Sequence, residues 1–207
     1  MCVAHADNVD MILVYADEGG RTQAFLVPGD SEGLKTGPRE KLMGIRAFPT
    51  YRVLFQNCRV PLASKLGGSE GIDFSMILDH CRLAMSAAAV GVARAAYDYA
   101  REYAKDRIQF EEPIAHRQAI AFMLAEMAID VDAAHLLVLE TAWHLDRGDD
   151  ATKETALMKH FVDNMVLRVA DRSVQVLGGY GYIREYPVEL WLRNARGFSS
   201  LEGLSIL

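Results

Sequence analysis

Cysteine is scarce in this chain of 207 residues: Cys2, Cys58 and Cys81 stand far apart, with no C-x-x-C pair among them. Neither a disulfide framework nor a zinc site follows from that spacing, and a reducing cytoplasm is the expected location. Positive charge is also in deficit. The 22 Lys and Arg are outnumbered by 28 Asp and Glu, giving a net charge of -6, which argues against a phosphate-backbone binder and makes nucleic acid an unexpected partner. The opening residues lack the basic region and apolar core of a secretory signal, so no export is expected. Long apolar runs are missing as well. The longest, around Leu83 to Ala93, is interrupted by Ser86 and falls short of the ~20 residues that span a bilayer, so a soluble protein without membrane insertion is expected. The six histidines show no H-E-x-x-H spacing, the serines no G-x-S-x-G elbow, and neither a metal site nor a hydrolase triad is expected.

Hydrophobic residues make up 51% of the chain, enough for a folded core. From Met11 to Pro61, short β-branched and aromatic runs alternate with turn residues: Met11 to Ala16, Gln23 to Val27, Gly33 to Thr36 and Tyr51 to Phe55. These read as strands of an antiparallel sheet, with Asp17 to Gly20 as a hairpin loop and Pro28-Gly29-Asp30 as a stop. After Gly71 the period changes. Helices are expected from about Ile72 to Lys105 and from His116 to Leu145, where Ile120, Leu124, Met127, Val131, Ala134 and Val138 recur at three and four. A third follows a cap at Asp149 or Asp150, with Leu157, Phe161, Asn164, Leu167, Ala170, Val174 and Leu177 as its stripe, and ends at Gly178-Gly179. A shorter helix follows Pro187. The fold class is therefore α+β, mainly α: a partial antiparallel β-domain over 1–70, then an up-and-down four-helix bundle over 71–207. The charged residues read as solvated helix faces.

Several short motifs have structural explanations of their own. Gly178-Gly179-Tyr180-Gly181 follows a helix rather than a strand, so it reads as a helix cap and not a dinucleotide fingerprint. Arg107, in Arg107-Ile108-Gln109-Phe110, suits a helix C-terminus or an anion. Asp79 and Arg82, at i and i+3, suit a surface ion pair. Trp143, Trp191, Tyr180 and Tyr186 read as packing residues. The chain closes on Leu201-Glu202-Gly203, where a carboxylate stands beside a glycine; Leu201 and Leu204 would desolvate it and strengthen it as a base.

Taken together, Gln175-Val-Leu-Gly178-Gly179, Tyr186-Pro187, Trp191-Leu-Arg193 and Glu202-Gly203 resemble the carboxy-terminal signature of the flavin-dependent acyl-CoA dehydrogenases. The resemblance implies that Glu202 removes the α-proton of an acyl-CoA while the β-hydride passes to the flavin, giving a 2-enoyl-CoA. It implies FAD contacts at Arg107, Gln109, Phe110, Gln118, Gln175, Gly178 and Gly179. Asp79, Arg82 and Gly203 become substrate residues by the same comparison, with the Glu202 N–H polarising the thioester oxygen. Some branches place the catalytic glutamate just before that arginine; Cys81 stands there in this sequence, so Glu202 has no rival. Electron-transfer flavoprotein or a similar acceptor is the implied partner.

The resemblance also sets expectations about extent. Family members run to nearly twice this length, beginning with a helical domain and the early sheet domain, and following the Glu-Gly step with Thr-Ser-(Glu/Gln)-Ile, where this chain has Leu204-Ser205-Ile206-Leu207. A homo-oligomer, or a partner chain supplying the missing region, is therefore expected. The alternatives are a non-catalytic fragment or partner subunit of a split flavoenzyme, and an acyl-CoA oxidase or flavin monooxygenase of the same fold.

Overall fold

The computed structural model describes residues 2–203. The chain divides into two compact units, one containing residues 2–42 and 46–78, the other residues 43–45 and 79–203. The expectations attached to Leu204, Ser205, Ile206 and Leu207 lie outside the described residues.

The first unit is built on strands β1 (Cys2–Ala4), β2 (Met11–Glu18), β3 (Arg21–Pro28), β4 (Leu34–Arg39) and β5 (Thr50–Phe55). Where the sequence suggested one sheet, there are two: antiparallel β1-β5-β4, and the β2-β3 hairpin. The hairpin register runs from Met11↔Pro28 to Glu18↔Arg21, which leaves only Gly19 and Gly20 in the loop. Their φ angles of 63° and 85° are those a two-residue turn needs to match strand twist, and glycine reaches them without a Cβ penalty. Asp17 and Glu18, assigned to the loop from sequence, extend the strand instead. Ala6, Ile12 and Val53 form the buried centre of this unit.

In the second unit the 3.6-residue period is realised in four helices, α1 (Phe74–Asp106), α2 (Gln118–Asp146), α3 (Thr152–Leu177) and α4 (Val188–Phe198). The α1 helix is long and apolar enough to cross a membrane by length and composition, yet Ala89, Ala93, Ala96, Ala100 and Ala104 lie buried in the core of this unit. Small side chains let neighbouring backbones come close. The α2 stripe falls where periodicity puts it, with Leu124, Met127, Val131, Ala134 and Val138 buried. The expected α3 stripe holds only in part: Ala170 and Leu177 are buried and Phe161 and Val174 pack against the core, but Leu157 is 60% exposed, and Thr155, Met158, Lys159, Val162, Val166 and Val169 are buried beside them. Met127, Met158 and Met165 are completely buried, each contributing about 1.5–3 kcal/mol of transfer free energy.

At the end of α3, Gly178 turns left-handed (φ 59°) and its N–H closes onto the Val174 and Gln175 carbonyls. The following 3-10 turn, Gly178–Tyr182, buries Gly181, where a Cβ would stand 2.4 Å from the Val174 oxygen. Asp150, not Asp149, serves the start of α3: its carboxylate accepts the Thr152 N–H at 3.2 Å, which holds its pKa below the usual aspartate value. Asp149 pairs with His144 and Arg147.

Candidate active site and cofactor cradle

Glu202 leaves α4 on a tight turn. Ser200 and Leu201 donate their N–H groups to the carbonyls of Gly197 and Phe198, at 3.1 and 3.2 Å. Leu201 is buried, and Gly203 follows with φ 86°. A Cβ on residue 203 would lie 2.7 Å from Cys81 Cβ and 3.0 Å from its carbonyl oxygen. Glycine is required there on two counts, conformation and contact, and the backbone it brings close is that of α1 at Cys81. The Glu202 carboxylate then accepts from the Arg82 guanidinium, 120 residues earlier in the chain. Both side chains are partly open, 26% for Arg82 and 31% for Glu202. Burial pushes the neighbouring Cys81 thiol up, which keeps it protonated and a poor nucleophile.

Beneath this turn lies a second charged pair. Lys159 Nζ meets Asp163 Oδ2 at 2.5 Å and donates to the Phe198 carbonyl at 3.0 Å, with only 8% of the lysine side chain exposed. Burial raises the Asp163 pKa; Lys159 opposes the rise, and the negative charge of Glu202 adds to it. The base of α4 is fastened separately. Arg193 pairs with Glu189 at 2.7 Å and donates to the Met43 carbonyl, while Asn194 accepts the Ile45 N–H.

The second candidate region begins where α1 ends. Ile108–Gln109 and Glu112–Pro113 pair as a small hairpin, β6 and β7, closed by the Ile114 N–H on the Arg107 carbonyl. Its loop residues Phe110 and Glu111 have φ of 53° and 70°, left-handed values that cost a non-glycine residue about 1–3 kcal/mol and cluster at functional sites. Phe110 is 88% exposed. Beside the hairpin a cavity of about 410 Å³ is lined by Tyr103, Arg107, Gln109, Gly178, Gly179 and Tyr180, with apolar walls from Ile114, Val176, Leu177 and Ile183. The Arg107 guanidinium sits 5.2 Å from the Tyr180 ring centre. Among the described residues it has no carboxylate partner. A Cβ added at Gly178 or Gly179 meets no protein atom within 4 Å, so the space in front of both is open.

The structure thus groups the sequence-derived residues unevenly. Arg107, Gln109, Gly178 and Gly179 share the cavity, whereas Phe110 stands at the hairpin tip, Gln118 starts α2 and Gln175 is an exposed α3 residue. Arg82 and Gly203 join Glu202. Asp79 does not pair with Arg82: it is buried and accepts from the Thr152 hydroxyl at 3.2 Å, tying α1 to α3. An i, i+3 spacing permits a pair, but each residue here takes a different partner, Thr152 for Asp79 and Glu202 for Arg82. Lys159 and Asp163 were missed by treating charged residues as solvated faces. Tyr180, read as packing, lines the cavity at 41% exposure, and Trp143 is 54% exposed under Arg147.

Known proteins give this arrangement its context. The family model described as "Acyl-CoA dehydrogenase, C-terminal domain" matches residues 70–205. A probable acyl-CoA dehydrogenase of Bacillus subtilis, YngJ, is 43% identical over 185 residues, covering 88% of this chain and 48% of the relative. CarC, a caffeyl-CoA reductase-Etf complex subunit of Acetobacterium woodii, is 40% identical over 184 residues, covering 88% and 48%. The solved butyryl-CoA dehydrogenase of Megasphaera elsdenii superposes with a TM-score of 0.88 at 35% identity, over 97% of this chain and 54% of that one. The chain spans about half the length of the curated relatives it matches. By sequence and by fold, this chain belongs to the acyl-CoA dehydrogenase family of FAD-using flavoprotein oxidoreductases.

Proposed function

We propose that the protein catalyses α,β-dehydrogenation of an acyl-CoA thioester, with Glu202 as the base. The observation that carries this reading is the meeting of Arg82 and Glu202 on a turn held to α1 by a glycine that tolerates no side chain. The carboxylate is held by Arg82 and remains partly open to a ligand, so it is both oriented and reachable, as a proton acceptor must be. On taking the α-proton it becomes neutral and releases Arg82. The Glu202 N–H serves as a donor to the thioester oxygen, favouring the enolate-like charge that develops there.

The cavity residues fit FAD. A cation without a carboxylate partner, an amide side chain, two glycines facing open space and apolar walls match an anionic, aromatic dinucleotide. Arg107 would hold its pyrophosphate, with Gln109, Gly178 and Gly179 around it; Phe110, Gln118 and Gln175, which do not line the cavity, are proposed as FAD contacts by family resemblance alone. When bound, FAD supplies the acceptor for the β-hydride.

The CarC name supports an electron-transferring flavoprotein as the electron partner, and its reductase activity supports the reverse direction as a second reading, with protonated Glu202 delivering a proton to the α-carbon. The proposal includes a cytoplasmic location and a homo-oligomer, or a partner chain completing the flavin site. Exposed Phe122, Ile129, Leu136 and Trp143, spaced by seven along α2, support such an assembly. The test is Glu202→Gln in the flavin-loaded protein. Dehydrogenation should disappear while the flavin absorbance persists; unchanged turnover would remove Glu202 as the base.

A further inference from the structure

We propose that Lys159 is a positioning residue for Glu202, acting through the Phe198 carbonyl that opens the Glu202 turn. The proposal rests on the reading of Glu202 as the base. Phe198 is the last residue of α4, and its carbonyl accepts from two donors, the Leu201 N–H at 3.2 Å and Lys159 Nζ at 3.0 Å. The first bond makes the turn. The second ties that turn to the middle of α3, the most buried helix of the bundle.

Burying a lysine is an inefficient way to stabilise a core, because an apolar residue of similar volume avoids the desolvation cost and packs as well. A cation does something a methionine cannot: it donates several hydrogen bonds at once and complements the negative end of a helix. Lys159 uses both properties. One donor goes to Asp163, which offsets its charge, and another to the α4 terminus. On the far side of the turn Arg82 holds the Glu202 carboxylate, and Gly203 rests against Cys81. The four-residue step from Phe198 to Glu202 is therefore pinned from α3 at its start and from α1 at its end. A base must sit within hydrogen-bonding reach of the carbon-bound proton it removes, so slack at either end lowers the rate without touching cofactor affinity.

The test uses the full chain in its flavin-loaded form. Lys159→Met alone leaves the partly buried Asp163 without its cation, so the informative variant is Lys159→Met with Asp163→Leu, which removes both charges. Retained helicity and flavin, an unchanged KM, a kcat lower by about tenfold or more, equally slowed exchange of substrate α-hydrogens with D2O, and faster amide exchange at Leu201 are expected. Lys159→Arg, which keeps cation and donors, should restore kcat and Leu201 protection. A folded double variant with parental kcat and parental Leu201 exchange overturns the proposal; so does global unfolding, which would assign Lys159 a general core role. Glu202→Gln separates the two levels. If that variant still exchanges α-hydrogens, the base assignment fails; if it is silent while the double variant is unimpaired, only the Lys159 proposal fails.

Discussion

The two candidate regions of the helical unit treat charge in opposite ways. Around Glu202 the neighbouring charges are partnered: the carboxylate has Arg82, and Asp163 has Lys159, which also caps α4. Around the cavity, Arg107 faces open space over Tyr180 with no carboxylate among the described residues, and Phe110 stands almost fully exposed on a hairpin with left-handed φ. One region is held in place by the chain itself. The other has unmet bonding capacity, as a surface does that is completed by a ligand. Substitutions in the first should damage catalysis through geometry, and substitutions in the second should damage affinity.

The largest effect is expected at Gly203. A valine there must adopt φ 86° and push into the Cys81 backbone, so Glu202 is displaced together with its neighbour. A shift of about 1 Å at a reacting group can cost 10²-fold in rate, and a loss in kcat of that order is expected with flavin still bound. Backbone strain of about 1–3 kcal/mol should lower Tm by roughly 2–4 °C per kcal/mol. Parental kcat in Gly203→Val, measured by anaerobic flavin bleaching, would show that the turn is not preorganised and would collapse the contrast.

Arg107→Gln tests the other half. If the guanidinium serves a dinucleotide anion, its loss removes charge-assisted hydrogen bonds worth about 1.5–3 kcal/mol, and FAD should bind roughly 10- to 150-fold more weakly. The flavin-free protein should keep its Tm, because no carboxylate is left without its cation. Flavin titration followed by fluorescence reads the first quantity and thermal unfolding the second. A stability loss with unchanged flavin affinity would make Arg107 a structural residue like Lys159.

Much of this contrast could be read in the sequence, though not its causes. The α2 stripe is legible because Leu124, Met127, Val131, Ala134 and Val138 are all apolar and three or four apart. The α3 stripe is displaced at its start because Leu157 and Met158 are adjacent apolar residues that periodicity alone does not rank, and it is Met158 that the core takes, with Val162 and Val166. Lys159 stands in register with Thr155, Val162 and Val166, a positional signal that assigning charge to solvent conceals. The β6-β7 hairpin carries no warning at all, since neither Phe110 nor Glu111 is a residue that favours positive φ. Glu202 and Arg107 were candidates through family resemblance, but the pairing of Glu202 with Arg82 depends on a chain path that spacing cannot supply.

The smallest expected effect concerns the pair beneath the turn, and its sign is what informs. Asp163 has its folded-state pKa raised, chiefly by burial, despite Lys159. A carboxyl raised in the folded state binds its proton more tightly there than in the unfolded chain. Its contribution to stability is therefore complete below the ordinary aspartate value and is lost as pH rises through the raised one. Asp163→Asn keeps a neutral group at the site and lacks this loss, so the variant should gain on the parent as pH rises across the mildly acidic range. Should Lys159 outweigh burial, the parent would instead gain on the variant over that range. Denaturant unfolding of both proteins across the window gives the difference directly, and a slope favouring the parent would mean that the Lys159–Asp163 pair stabilises the unit as well as holding the turn.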